Sequence, residues 1–406
     1  MNPLLSIVIA TKNRVPYCIN AIETILSIPD NDFELIIQDN TDNLELKEYI
    51  ESHISDERLI YKYTSPPFSS IDNFNAALEL ATGEYLCMIG DDDGINPEII
   101  EATHWAKNNN VDALVGSLSA AYLWAGTGVP DTLFTNMSGG TLTFVPFNGK
   151  TCQPEIEESL SKLMKNGCTN YLDFSLPKLY HGIVRRECME IIKNKTGAYL
   201  KGLSPDIYSS IALACVVNKL VTIDYPLTIP GACGLSSSIT EGQIRKHSKK
   251  LEDAPHFRSR GHYTWSIEVP RIYCGQTIWA DSGFAALREM NRLDLIKKFN
   301  RYKLYANIIS ADWSTGKLVL NHMIIERGGI KLELIIDFSR LFLSIITGPF
   351  RKFLMKRCLG RLMIILGMRK FEKLVNLPDI SKAMIAFKSH LKTIDIQISK
   401  ELSKIE

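Results

Sequence analysis

The chain has 406 residues and a formal net charge of +1, with 45% hydrophobic and 22% charged residues; that length supports a large core and two or three domains or subdomains. So balanced a charge makes no case for a nucleic-acid partner, and no run of ~18 uncharged apolar residues is present to form a transmembrane helix. The nine cysteines include no CxxC pair and are odd in number, which suits reduced thiols in a cytoplasm better than a disulfide framework.

The opening "MNPLLSIVIATKNR" lacks a basic leader and a small-residue cleavage site, so residues 4–10 read as a strand, not a signal peptide. Residues 15–28 carry Ile19, Ile22, Ile25 and Leu26 on one helical face. A strand follows at 33–38, a helix at 44–54 and a strand at 59–63. The spacing predicts a helix over 70–81, with Ser70 as cap, Asp72 and Asn73 in its first turn and Gly83 ending it. Residues 84–90 form a strand, 97–109 a helix opened by Pro97, and 111–117 another strand. This alternation predicts an α/β fold with a doubly wound, mostly parallel sheet.

Residues 120–180 are rich in Gly, Thr and Pro and read as loops and antiparallel ribbons. A strand-then-helix pattern returns at 179–195. A helix over 204–218 has Ser204 at its cap and Pro205 at its first position. Residues 234–265 are polar and read as mobile, and 281–325 as helical. Residues 330–374 interleave apolar patches with Arg340, Arg351, Lys352, Lys356, Arg357, Arg361, Arg369, Lys370 and Lys373, a basic amphipathic segment.

In an open parallel sheet, ligands bind beyond the carboxyl ends of the strands. Three polar clusters fall there: "ATKNR" (10–14), "QDNTDN" (38–43) and "GDDDG" (90–94). Each of the first two, taken alone, is equally at home in a turn or a cap. The third is not, because a cap needs one carboxylate and this cluster has Asp91, Asp92 and Asp93 in a row. A hard divalent cation such as Mn²⁺ or Mg²⁺ offsets clustered carboxylates, commonly together with substrate phosphates. No P-loop, dinucleotide fingerprint or calcium-binding helix-loop-helix pattern is present.

"LSIVIATKNR", "FELIIQDNTDN", "NFNAALELATGEYLCMIGDDDGINPE" and "YHGIVRRECMEII…SPDIYSS" together resemble family 2 glycosyltransferases over about residues 4–230. The resemblance implies the GT-A nucleotide-sugar-binding fold and an inverting single displacement. It places Thr11, Asn13 and Arg14 at the nucleotide and Asp39 at the base or ribose. The family's metal motif is usually D-x-D-D, and Gly90 stands at the first of those positions. Asp92 then matches the direct metal ligand. Asp91 and Asp93 bind through water or hold the diphosphate site, Asp93 counted with the metal and Asp91 with the nucleotide. Asp206 matches the general base; without the resemblance it reads as an acid stabilising a helix N-terminus. Glu187 is its nearest competitor.

His181 falls on the acceptor side by analogy, though a lone His is more often structural. Arg245, Lys246 and His247 could form a lid or a solvated loop. Trp124 and Trp265 could stack on a sugar, while Trp105 reads as core.

The resulting organisation is a catalytic domain over 1–230, an acceptor-side extension over 231–330 and a helical tail over 331–406. The tail reads as peripheral on the inner face of an anionic membrane, or else as packed on protein. The implied partners are a nucleotide-sugar donor, a UDP-sugar by preference, and a glycan or lipid-linked glycan acceptor of a growing surface polysaccharide. Two other readings remain open. One is a haloacid-dehalogenase-type phosphatase using Asp91 as nucleophile and Asp93 as acid/base. The other is a non-catalytic glycosyltransferase-like binding subunit.

Overall fold

Strand β1 (Leu5–Thr11) puts Ile7 and Ile9 on one face and Val8 on the other, all fully buried. A strand buried on both faces needs helices above and below it, and the chain supplies them. The structure is a computed structural model that describes residues 3–127, 140–236, 248–329, 332–350 and 372–405. After β1 come α1 (Val15–Leu26), β2 (Phe33–Asp39), α2 (Glu45–His53), β3 (Leu59–Tyr63), α3 (Ser70–Glu79) and β4 (Tyr85–Ile89). Then follow β5 (Gly94–Ile95), α4 (Ile99–Asn108), β6 (Ala113–Gly116), β7 (Ala120–Leu123), β8 (Thr141–Phe144) and β9 (Thr151–Cys152). Next are α5 (Ile156–Lys165), β10 (Ile183–Arg185), α6 (Arg186–Thr196), α7 (Pro205–Leu213), β11 (Leu220–Ile223), β12 (Thr228–Ile229) and β13 (Gly231–Ala232).

The main sheet has eight strands in the order β3-β2-β1-β4-β10-β6-β11-β9. Helices α1, α2 and α4 cover one face, and α3, α5, α6 and α7 the other. The pairs β3-β2, β2-β1, β1-β4 and β6-β11 are parallel. Strand β10 is antiparallel to both β4 and β6, so those two point the same way. This exception matters for the site. Because β10 runs backwards, the residues that lead into it arrive at the carboxyl end of β4.

Several local boundaries differ from the sequence expectation for identifiable reasons. Ser69, not Ser70, caps α3: its Oγ accepts from the Asp72 amide at 3.2 Å and donates to the Asp72 carboxylate at 2.5 Å. Pro97 lies ahead of α4, where Asn96 accepts from the Glu98 amide. Helix α7 ends at Leu213, short of 218, because Asp112 captures the amides of Asn218 and Lys219 and turns the chain into β11. The region 120–180 does contain the antiparallel ribbon β7-β8, but also the helix α5, whose Ile156, Leu160, Leu163 and Met164 follow helical spacing. Residues 248–265 are packed: Leu251 and Ala254 are buried against Leu203, Tyr273 and Ile278. Arg245, Lys246 and His247 lie outside the described residues.

Helices α8 (Gly275–Glu289), α9 (Leu293–Ile296), α10 (Arg301–Ala311), α11 (Gly316–Glu326) and α12 (Glu333–Ile345) follow. Helix α8 packs on α7, and α12 on α10. The tail is not one unit. Strand β14 (Glu372–Leu374) pairs with β8, α13 (Ile380–Leu391) packs on α1, and α14 (Ile398–Leu402) packs on α4. Thr24 and Ser381 share a hydroxyl hydrogen bond of 2.7 Å across the α1–α13 contact. Most of the basic run, 351–371, lies outside the described residues.

Glu34 ties three strands' worth of backbone together. Its buried carboxylate accepts from the Ser6 hydroxyl (2.6 Å), the Thr82 amide and hydroxyl (2.6 and 2.8 Å) and the Gly83 amide (3.2 Å). Glu34→Ala leaves the Ser6 hydroxyl and the Thr82 amide and hydroxyl without their acceptor, while the Gly83 amide keeps the Ser6 oxygen at 2.8 Å, and a loss of about 3 kcal/mol in denaturant-unfolding stability is expected. A loss below about 1 kcal/mol would mean that water replaces the carboxylate at no cost.

Candidate active site

The carboxyl edge of β1 and β4 gathers the acids. Asp91, Asp92 and Asp93 are each 3–5% exposed, a costly placement that demands donors. Asp91 accepts from the Thr11 hydroxyl at 2.5 Å and from Arg14 Nη1 at 2.6 Å. The same Arg14 nitrogen lies 3.0 Å from Asp92 Oδ1. The other oxygen of Asp92 accepts from the Cys233 amide at 3.0 Å and the Ser236 hydroxyl at 2.6 Å. Its backbone carbonyl takes the indole N–H of Trp124 at 2.9 Å. Asp93 accepts from the Gly231 and Gly90 amides, both at 2.6 Å, and from the Tyr180 hydroxyl at 3.2 Å.

Three carboxylates face one guanidinium, so the cluster carries an excess of negative charge. Burial raises the pKa values of Asp91 and Asp93 well above the usual carboxylate range, against the Arg14 charge at Asp91 and with the charge of Asp92 adding to it at both. His181 sits 3.4 Å from Asp93 through Nε2, and its Nδ1 meets the Thr228 hydroxyl at 2.9 Å. Burial pushes the imidazole down to about 3. Both shifts favour a neutral imidazole facing a carboxyl that holds its proton. The backbone at His181 is left-handed (φ 62°), a strained setting for a residue with a Cβ.

A divalent cation suits this donor set in charge and in ligand chemistry, since all donors are oxygens and the cluster is over-charged. Asp91 Oδ1 and Asp92 Oδ1, the two oxygens turned toward Arg14, are where positive charge is already accepted. Among the described residues, no three acids or histidines converge as a closed metal cage.

Asp206 stands on the first turn of α7, whose start is held from two sides. Ser282 accepts the amides of Leu203 and Ser204 at 3.0 and 2.9 Å, and Ser210 donates to the Pro177 carbonyl at 2.7 Å. The Tyr180 hydroxyl feels Asp93, Asp206 and Asp92 in that order after its own burial. The Tyr180 hydroxyl hydrogen-bonds Asp93 and also lies within electrostatic reach of Asp206.

The other sequence candidates distribute unevenly. Thr11 and Arg14 join the cluster directly, and Asn73 supports Thr11 by donating to its carbonyl at 3.0 Å. Asn13 is exposed, with φ 57°, and pairs with Asp42 across the β1 and β2 loops. Asp39 is fully buried and accepts from the Thr41 amide and the Tyr61 hydroxyl, each at 2.8 Å, so it shapes its own loop. Glu187 is exposed on α6. Trp124 is buried beneath Asp92, which removes it as a stacking face; Trp265 is half-buried and donates to the Val269 carbonyl, and Trp105 is partly buried against the core. Sequence reading missed Tyr180, Ser236 and the amides of Gly231 and Cys233. Their only local signal is a "YHG" just before a strand; the rest depends on long-range return of the chain. The phosphatase reading loses its geometric basis. The strand that leads into Asp91, its would-be nucleophile, is the fourth in chain order, not the first.

Residues 6–134 match the family model described as glycosyl transferase family 2. A colanic acid biosynthesis glycosyl transferase of Escherichia coli (strain K12), WcaA, is 35% identical over 98 residues, which are 24% of this chain. The match spans about a third (35%) of that protein's own length. Loose structural likenesses include S. aureus TarS 1–349 in complex with UDP-GlcNAc, 14% identical over 79% of both chains with a TM-score of 0.46. Another is the mannosyltransferase PcManGT from Pyrobaculum calidifontis, in complex with GDP-Man and Mn²⁺, 12% identical over 88% of both chains with a TM-score of 0.37.

Gly231 is the tightest joint in the site. A Cβ there would stand 1.7 Å from the Asp92 carbonyl oxygen, and backbone cannot yield as a side chain can. Gly231→Ala is expected to cost about 2–3 kcal/mol in thermal or denaturant unfolding and to weaken any ligand held by the cluster. Wild-type stability and ligand affinity in this variant would show that residues 231–236 do not hold the acids.

Proposed function

We propose that this chain, whose residues 6–134 are a glycosyl transferase family 2 domain, transfers one sugar from a nucleotide-sugar donor to a hydroxyl of a growing surface glycan, with inversion. The observation that carries this reading is the buried acidic cluster at the carboxyl ends of β1 and β4, bonded to Thr11, Arg14 and Tyr180. That cluster suits a diphosphate and its counter-charge, and Asp206 a proton.

Thr11 and Arg14 orient the cluster. Asp91 and Asp92, with Asp93 behind them, would hold Mn²⁺ or Mg²⁺, which when bound offsets the charge that grows on the departing diphosphate. Arg14 adds a fixed positive charge at the same place. Asp206 takes the proton of the acceptor hydroxyl as that oxygen attacks the anomeric carbon. The bond from carbon to the phosphate oxygen breaks, and its electron pair leaves with the nucleoside diphosphate. A single carboxylate base and a single displacement invert the configuration. The donor is a nucleoside diphosphate sugar, a UDP-sugar by preference.

Among the described residues no helix is long and apolar enough to cross a membrane. Helix α12 nevertheless exposes Ile335, Ile336, Phe338, Phe342 and Leu343, while Leu334 and Leu341 pack inward. That outer face, continued in sequence by the basic run 351–370, fits a peripheral contact with an anionic leaflet where a lipid-linked acceptor would lie.

Calorimetric titration of UDP, dTDP and GDP, with Mn²⁺ or EDTA, tests the donor site. One nucleotide is expected to bind with metal, and Asp92→Asn to abolish that binding; no binding of any nucleotide would defeat the proposal. Asp206→Asn is expected to bind the same nucleotide near wild-type affinity and to lower transfer by about a thousandfold or more. Near-normal turnover would remove Asp206 as the base. Cosedimentation with phosphatidylglycerol vesicles should be lost when Ile336, Phe342 and Leu343 are all changed to Ser, and unchanged binding would take α12 out of any membrane contact.

A further inference from the structure

A cavity opens on the same edge of the sheet as the acidic cluster. Its volume is about 460 Å³, inside the range of about 300–1,000 Å³ usual for small-ligand sites. It sits beyond the carboxyl ends of β6 and β11, lined there by Ser117 and Asp224, with Lys150 on a neighbouring loop. Strands β6 and β4 point the same way, so this cavity and the acidic cluster share the ligand-binding edge. The wall between them is the segment 171–180. Tyr171 and Tyr180 on that segment feel Asp206, while Asp173, Phe174 and Lys178 line the cavity.

Lys178 is the unusual member. Its side chain is largely buried, and no carboxylate among the described residues forms an ion pair with it. Burial moves its pKa downward. Asp224 accepts from the Asn148 amide at 3.1 Å. The backbone of Lys178 is fixed on both sides. Pro177 accepts from Ser210, and Leu179 accepts from the Met88 amide at 2.9 Å. A Cβ on Gly182 would come within 2.2 Å of the Lys178 carbonyl oxygen, so that glycine lets the chain pass. A buried ammonium without a counter-ion is costly. Held rigidly at the wall of a cavity, it is a preorganised anion receptor.

We infer that this cavity is a subsite for an anionic group of the acceptor glycan, a carboxylate or a phosphodiester, received by Lys178 with Lys150 at the rim. The inference rests on the glycosyltransferase reading for the word acceptor, and on the cavity alone for the anion. Asp206 lies within electrostatic reach of Tyr171 and Tyr180, at the two ends of the segment whose Asp173, Phe174 and Lys178 line the cavity, so an acceptor that presents its hydroxyl to Asp206 would have this cavity within reach. Phe174 offers an apolar surface for a sugar ring beside the charge.

The test is calorimetric titration of the full chain with three probes: a hyaluronan tetrasaccharide, an oligo(glycerol phosphate) and neutral chitotetraose. UDP is titrated in parallel. Either anionic probe is expected to bind about tenfold or more tighter than the neutral one, and more weakly as salt is raised. Lys178→Met should remove that preference and Lys178→Arg should keep it, with UDP binding unchanged in both. The better of the two anionic probes then tells carboxylate from phosphodiester. Equal binding of all three, no binding of any, or a preference that survives Lys178→Met would overturn the inference. Failure of UDP alone to bind would strike the donor site and leave the anion result standing.

Discussion

Three adjacent carboxylates held out of water at the end of β4 set the terms for the rest of the molecule. Each needs donors, and no local segment can supply them. Thr11 and Arg14 come from the end of β1, Tyr180 and His181 from the approach to β10, and Gly231, Cys233 and Ser236 from the return after β12. The antiparallel strand β10 is the device that brings residues 180–181 to this edge. A parallel strand in the same place would deliver them to the opposite end of the sheet. The C-terminal segment closes on the same loop: a Cβ on Gly94 would stand 2.7 Å from the sulfur of Met384 in α13.

Local periodicity made the N-terminal half legible. The strands β1 to β4 and the helices between them follow apolar patterns of period two and 3.6, and their ends fall within a few residues of the reading. The parallel order followed from alternation alone. What stayed hidden is non-local. Ser236 and Asp92 are 144 residues apart and Gly231 and Asp93 are 138 apart, and no pattern of one residue type announces such a pairing. Strand direction was hidden too, since "YHGIVRR" reads the same forwards in either type of ladder.

The basic amphipathic reading of 330–374 shows a different limit. Hydrophobic spacing says that a face will be covered, not by what. Helix α12 covers one face with α10 and leaves the other open, while β14 joins a sheet and α13 packs on the first helix of the chain. A single compositional trend therefore ran across elements with separate structural duties. Asp337 shows the inward duty: it pairs with Arg327 at 2.7 and 2.9 Å and takes the Tyr302 hydroxyl at 2.5 Å, fixing α12 against α10.

The division of labour between the acidic cluster and Asp206 follows from their surroundings. Asp91 and Asp93 are fully enclosed, and their burial and mutual charge favour keeping a proton or accepting a cation. Asp206 is half-buried on the first turn of α7. A base that must receive a proton from a hydroxyl should stay ionised and reachable. A site that must receive a diphosphate needs stored negative charge that only a cation relieves, so that substrate and cation enter together. On the proposed function, the enclosed cluster would receive the cation and diphosphate and Asp206 the acceptor proton.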